Sequence, residues 1–311
     1  MHQNKINIAV ILITVLLILF SIFIAFLNEK ENNLLKTSDI IAIDNIFLPN
    51  GEQNLQCIYY NVMDFMNIKE YNNLDDVGTI RGLIVPHHLL AKDLIHEAFQ
   101  IADKTKYKTI VIFGPDHESK DRGKVFTSSS NWQTPMGILD ADKGIINSIL
   151  NLDFVLENNE KLTIEHSISG LVPFIEHYFS DAKIIPFALT KQLTLENLDK
   201  LIYTLKDNIK VEDTLFISSV DFSHYLSLEK SNEMDKISID AILNKDLEKI
   251  MGFTNDNLDS PNCIAAMLKS MELIVDNNIK IITNSNSQII LNRKLEETTS
   301  YITFMFYDKN N

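Results

Sequence analysis

Asp221 and His224 stand three residues apart in Ile217-Ser-Ser-Val-Asp-Phe-Ser-His224, where a short apolar run gives way to two serines, an acid and an imidazole. At that spacing, in a loop or a first helical turn, both side chains can face one cleft. The acid would orient or coordinate there, and the imidazole would serve as general base or ligand. Asp221 can equally close an Asx-type turn or cap a helix, with no chemistry implied. Two earlier segments follow the same plan: Leu83-Ile-Val-Pro-His87 and Val111-Ile-Phe-Gly-Pro-Asp-His117 each run an apolar strand into a turn residue and then a histidine. Histidine is the commonest metal ligand because its neutral ring offers a lone pair near physiological pH. Of eight histidines, His87, His88, His117, His166 and His224 fall at predicted strand ends or a helix start, whereas His2, His96 and His177 do not. One loop histidine is more often bonded to backbone than to a metal. Three strand ends carrying ligand-type residues weigh against that for the group, because such ends converge on the rim of an α/β sheet.

Other candidates are weaker. Cys263 follows Pro261-Asn262 at a predicted helix N-terminus, where the helix dipole favours thiolate; it reads either as a metal ligand or as a core cysteine. Glu165-His166-Ser167 is an acid and imidazole at another helix start, either a cap or part of the cleft wall. Asp116 and His88 adjoin the presumed ligands and are candidates to fix their tautomers. Ser218 and Ser219 lack the GxSxG elbow of a serine nucleophile, and no HExxH or CxxC pattern marks a metal.

These residues need a sheet to position them. Thr79 to Val85 and Lys108 to Phe113 are strand-length apolar runs flanking a helical stripe of Leu90, Leu94, Ile95, Ala98, Phe99 and Ala102. That order is a βαβ unit, so the ends after Val85 and Phe113 point the same way. Further strands are expected at 125–128, 182–188, 214–219, 280–284 and 301–306, with helices near 142–150, 165–178, 193–205, 234–244, 246–253 and 261–276. Pro173 implies a kink or a first-turn position within 165–178.

A net charge of −14 argues against a nucleic-acid-binding face. The N-terminus differs from the rest: Ile6 to Leu27 holds no charge and, at 1.5 Å per residue, is long enough for a hydrocarbon layer of roughly 30 Å. A small-residue cleavage site is missing, so a retained transmembrane anchor is expected over 1–28, with a tether over 29–45 and an α/β domain over 46–311. Lys5 before the span suggests a single-pass protein whose domain is extracytoplasmic. Cys57 and Cys263 make no disulfide framework; Cys57 reads as a small buried hydrophobe, and a single bond between the two is the only pairing open to them.

In Pro86-His87, Gly114-Pro-Asp-His117, Trp132-Gln-Thr-Pro-Met-Gly137, Glu165-His166-Ser167-Ile168, Pro173-Phe174, Ile185-Pro186 and Ser218-Ser-Val-Asp-Phe-Ser-His224 the chain resembles the Memo family, whose prokaryotic members are called AmmeMemoRadiSam system protein B. The resemblance covers roughly residues 80 to 270 and departs from the usual motif at His88, Ser169 and Val220. It implies kinship with class III extradiol dioxygenases and a three-layer α/β sandwich around a central mostly parallel or mixed sheet. It also implies a metal pocket in which His87, His117 and Cys263 are ligands and Asp221 and His224 stand beside the metal. A thiol in place of the dioxygenase carboxylate suits copper or iron. Radical-SAM and AMMECR-type proteins are the partners so implied. The expected function is then a membrane-anchored redox or oxygenase-type enzyme of unspecified substrate. The alternatives are a scaffold that binds a ligand or peptide without turnover and, third, metal-dependent hydrolysis.

Overall fold

The computed structural model describes residues 54–71, 78–118, 120–275 and 277–308. In chain order the strands are β1 (Leu55–Gln56), β2 (Thr79–Val85), β3 (Thr109–Pro115), β4 (Val125–Thr127), β5 (Trp132–Gln133), β6 (Ile138–Leu139), β7 (Val155–Glu157), β8 (Lys183–Leu189), β9 (Thr214–Ser219), β10 (Asn277–Asn286) and β11 (Ser300–Asp308). Eight of them form one mixed sheet in the order β10-β11-β2-β9-β3-β8-β4-β7, and β1, β5 and β6 make a small separate sheet. The centre, β2-β9-β3-β8, is parallel throughout. Its strands are apolar along their length because both faces are covered: Leu83 to Val85, Ile110 to Phe113 and Leu215 to Ile217 are all fully buried.

One face carries the helix Pro261–Met271, which packs on β2, β9 and β3 and against the helix Leu195–Asn208. Gly82 makes room for it, since a Cβ there would stand 2.8 Å from Met267 Sδ. The helices Lys92–Ala102, His166–Ser169 and Val172–Phe179 form a second group, packed on β2 and β11 at one end and on β3 and β8 at the other. This arrangement fits a three-layer α/β sandwich.

The strand, helix, strand unit over 79–115 is present, with β2 and β3 parallel as the spacing predicts. They are not neighbours, because β9 lies between them. That insertion brings the end of β9, with Asp221 just beyond, between the ends that carry His87 and His117. Pro173 falls in the first turn of Val172–Phe179, where its missing N–H costs no helix bond, and the expected single helix over 165–178 is two short ones.

The expectation of a single-pass membrane protein is corrected: among the described residues no helix is long and apolar enough to cross a membrane. The anchor expected over 1–28 and the tether over 29–45 lie outside the described residues.

Candidate functional site

Parallel neighbours β2, β9 and β3 end at one edge, and the chain beyond each end delivers a polar side chain to the same place. His87 follows β2, is 3% exposed, and is held at three points. Its backbone N–H donates to Asp221 Oδ1 at 3.1 Å, its Nδ1 meets Ser219 Oγ at 3.1 Å, and its Nε2 faces Asp259 Oδ2 at 3.2 Å with Asp221 Oδ2 at 3.7 Å. Asp221 is thus a fixture of the His87 turn and not a helix cap.

His117 follows β3, and a glycine explains how its partner arrives. A Cβ on Gly114 would stand 2.5 Å from Ser167 Oγ, so only glycine lets the helix His166–Ser169 lie so close to the strand. Ser167 Oγ donates to Pro115 O at 2.7 Å and locks that approach. Glu165, the N-cap of this helix, then reaches His117 twice, accepting from its backbone N–H at 2.8 Å and meeting its Nδ1 at 2.9 Å. Carboxylate on Nδ1 turns Nε2 of His117 inward, to 3.6 Å from Asp259 Oδ2. His166 stacks on His117 with ring centroids 4.4 Å apart and stands 5.0 Å from the His87 ring.

Asp259 arrives from the other side. The segment before the helix Pro261–Met271 pairs with the end of β9: Asp259 N–H donates to Asp221 O at 3.1 Å, Asp221 N–H returns a bond to Asp259 Oδ2 at 3.3 Å, and Phe222 bridges Leu258. Ser260 caps the helix, accepting from Cys263 N–H, with Pro261 behind it. Sequence reasoning passed over Asp259, although an acid placed just ahead of a Ser-Pro helix start was the available signal.

Cys263 itself sits in the first helical turn with no exposure, and both cysteines are free. Its thiol was expected to lean towards thiolate at a helix start; instead burial pushes it well up, and the charges of Asp259 and Glu165 add to that. Burial removes the water that would stabilise thiolate, and this outweighs the dipole. Among the described residues the groups of His, Cys, Asp and Glu whose ligand atoms lie within 4.8 Å of one another are His87, His117 and His166, and His87, Asp221 and Asp259. Cys263 is in neither, and His87, His117 and Asp259 do not stand together in one; Asp259 Oδ2 reaches each imidazole separately.

The remaining candidates surround this cluster. His224 donates its backbone N–H to Asn255 O at 3.2 Å, while its Nδ1 is buried without a hydrogen-bond partner. His88 Nδ1 lies 2.6 Å from the hydroxyl of Tyr301, a partner with no signature in the sequence. Asp116 is buried and pairs with Lys161 Nζ at 3.0 Å, which steadies the Gly-Pro-Asp-His turn; the carboxylate that fixes the His117 tautomer is Glu165.

The electrostatics follow from this packing. Burial works against a charged His117, but its hydrogen bonds to Asp259 and Glu165 and their charges prevail and raise it to about 10. Glu165, disfavoured as an anion by burial, is nevertheless lowered to about 2 by His117 and two backbone N–H donors. His87 is raised, the pull of Asp221 and Asp259 exceeding its burial penalty. Asp259 is held low by His87 and His117 despite burial. His166 is lowered to about 4, by burial first and then by the charges on His87 and His117.

The residues suit a metal ion. Two imidazoles have their outer nitrogens fixed by Ser219 and Glu165, both inner nitrogens face one carboxylate oxygen, and the other oxygen of that carboxylate, Asp259 Oδ1, is buried without a partner. Donors each about 2.0–2.2 Å from a common ion stand roughly 3.0–3.5 Å apart, close to the two distances found.

Comparison with known proteins agrees with the motifs. The sequence model of the family described as Memo-like protein matches residues 47–304. A MEMO1 family protein of Methanosarcina barkeri is 30% identical over 258 residues, covering 79% of this chain and 91% of the relative. A MEMO1 family protein of Sulfurisphaera tokodaii is 28% identical over 169 residues, 52% of this chain and 58% of the relative. An uncharacterized protein of Escherichia coli K12 of known crystal structure aligns at a TM-score of 0.49 and 11% identity, over 72% of this chain and 99% of that one. With the family model spanning most of its length, this chain belongs to the Memo family.

Proposed function

We propose that this Memo-family chain holds one metal ion between His87 Nε2, His117 Nε2 and Asp259, and acts as a redox or oxygenase-type enzyme on a small organic substrate. The observation that carries the reading is Asp259 Oδ2 lying 3.2 Å from one imidazole nitrogen and 3.6 Å from the other. Two imidazoles and one carboxylate as protein ligands would suit ferrous iron better than copper, which a thiolate would have favoured. Bound iron would supply one-electron and dioxygen chemistry.

The chain's own residues supply the rest. Glu165 accepts from His117 Nδ1–H and so leaves its Nε2 free to bind, and Ser219 Oγ can accept from His87 Nδ1–H to the same effect. Asp221 braces the His87 turn and, with Oδ2 at 3.7 Å from His87 Nε2, keeps a negative charge beside the centre. His224 has a buried, unpaired Nδ1 at which a substrate proton can be held.

Anaerobic purification followed by metal analysis tests this. About one iron per chain is expected, lost in His117→Ala and in Asp259→Ala. A protein that keeps its metal in both variants overturns the assignment.

A scaffold reading has its own support. His117 with Glu165, and His87 with Asp259, neutralise each other as ion pairs with no ion needed. A folded chain that takes up no iron, zinc or copper yet binds a peptide or small molecule would favour it.

A further inference from the structure

Next to the buried His87, His88 is exposed, and its Nδ1 lies 2.6 Å from the hydroxyl of Tyr301. The phenol is wholly buried, its ring stacked on the imidazole at 28° with centroids 5.8 Å apart. Hydrogen-bond economy decides which group donates. A buried O–H without an acceptor costs about 1–3 kcal/mol. Among the described residues the Tyr301 hydroxyl has no other bond than the one to His88. Were Nδ1–H to donate to the phenol oxygen, the phenol proton would be left buried and unpaired. Tyr301 therefore donates, Nδ1 accepts, and the neutral ring carries its proton on Nε2.

That Nε2–H makes no hydrogen bond among the described residues, so it is available to a ligand. His88 directly follows His87, whose backbone N–H donates to Asp221 Oδ1 at 3.1 Å, which places the His88 ring beside the proposed centre. Asp221, Asp259 and Glu165 already crowd this region with carboxylates, so a ligand that brings little negative charge fits best.

We propose that His88 is the ligand-orienting donor of this pocket: held by Tyr301, its Nε2–H bonds an acceptor oxygen of a small, uncharged or singly charged oxygen chelator seated at the His87, His117 and Asp259 centre. The ligand half of this assignment rests on the metal reading above, and the tautomer half does not.

Two measurements separate them. In the metal-free full chain labelled with nitrogen-15 histidine, the His88 signals, assigned by their loss in His88→Gln, are expected to show a protonated Nε2 and an unprotonated Nδ1. Tyr301→Phe should mix the tautomers. A protonated Nδ1 in the unsubstituted chain overturns the proposal whatever the fate of the metal.

In the cobalt(II)-loaded full chain, acetohydroxamate binding is followed by the visible cobalt bands. His88→Phe should weaken binding about fivefold to tenfold, the worth of one hydrogen bond. His88→Gln, which keeps a donor, should stay within about twofold of the unsubstituted chain. Cobalt affinity should be unchanged in both. Equal acetohydroxamate affinity in His88→Phe overturns the proposal. A chain that takes up no cobalt ends the metal reading and with it the ligand half of this one, while the tautomer spectrum still decides the donor.

Discussion

Asp259 Oδ2 stands 3.2 Å from His87 Nε2, and both side chains are almost wholly buried. The acid comes from the segment that opens the helix Pro261–Met271, and the imidazole from the end of β2. A backbone exchange between Asp259 and Asp221 sets their meeting. The acid of this cluster is therefore a carboxylate placed by the β9 loop, with the Cys263 thiol one helical turn further on and buried.

The first prediction separates the two. Asp259→Asn should lower iron or zinc affinity by at least about 100-fold, because a ligating charge is removed, and Cys263→Ala should change it by less than about threefold. Competition with a coloured chelator measures both, and a larger loss in Cys263→Ala would reinstate the thiol.

Glu165→Gln should weaken metal binding by about 10–100-fold without unfolding the protein, as expected for a partner that orients a ligating histidine. The amide can still accept from His117 Nδ1 but no longer adds a charge. An unchanged affinity would show that the bond of 2.9 Å between Glu165 and His117 has no bearing on the ligand.

Thiol chemistry follows from burial. Both Cys57 and Cys263 are free and buried, and burial raises each thiol. Ellman's reagent should find neither thiol within minutes in the native protein and both in denaturant. Rapid native labelling, absent in Cys263→Ala, would mean that this residue is open to the pocket.

Stability should depend on pH through Asp235, which accepts from Ser300 Oγ at 2.5 Å and Ser223 Oγ at 3.2 Å beneath the Asp221 to His224 loop. Burial raises its carboxyl from 3.8 to about 6, more than the serine hydroxyls lower it. Between those values the folded protein keeps a proton that the unfolded chain releases. The Asp235 contribution to stability therefore falls as pH rises from 4 to 6 and then levels, by at most about 3 kcal/mol. His166, lowered to about 4, contributes with the opposite sign over the same range. Denaturant melts of the unsubstituted chain and of Asp235→Asn should differ in their dependence on pH by that fall; the same dependence in both would show that Asp235 contributes none of it.

Gly114→Ala should cost about 1–3 kcal/mol, since the new methyl meets Ser167 Oγ at 2.5 Å and Ile168 Cδ1 at 2.7 Å. The helix His166–Ser169 must retreat, carrying Glu165 from His117, so metal affinity should fall together with the melting temperature. A stable variant with full affinity would show that the close approach is dispensable.

The sequence by itself determined the local chemistry. Apolar runs ending in Pro-His87 and Pro-Asp-His117 specify buried parallel strands that finish in turns, and the apolar stripe after Leu89 specifies the crossover helix between them. These are short-range signals of period and turn type, so strand, helix and imidazole positions were legible. The family motifs named the same residues. What only the tertiary structure decided was strand order and the source of the carboxylate. No local pattern says that β9 inserts between β2 and β3, or that residues 254–260 fold back on its end to deliver Asp259. A thiol at a helix start reads as reactive in one dimension, yet packing removed its water and reversed that. Long-range contacts set solvation and convergence, and neither is written in the spacing of neighbouring residues.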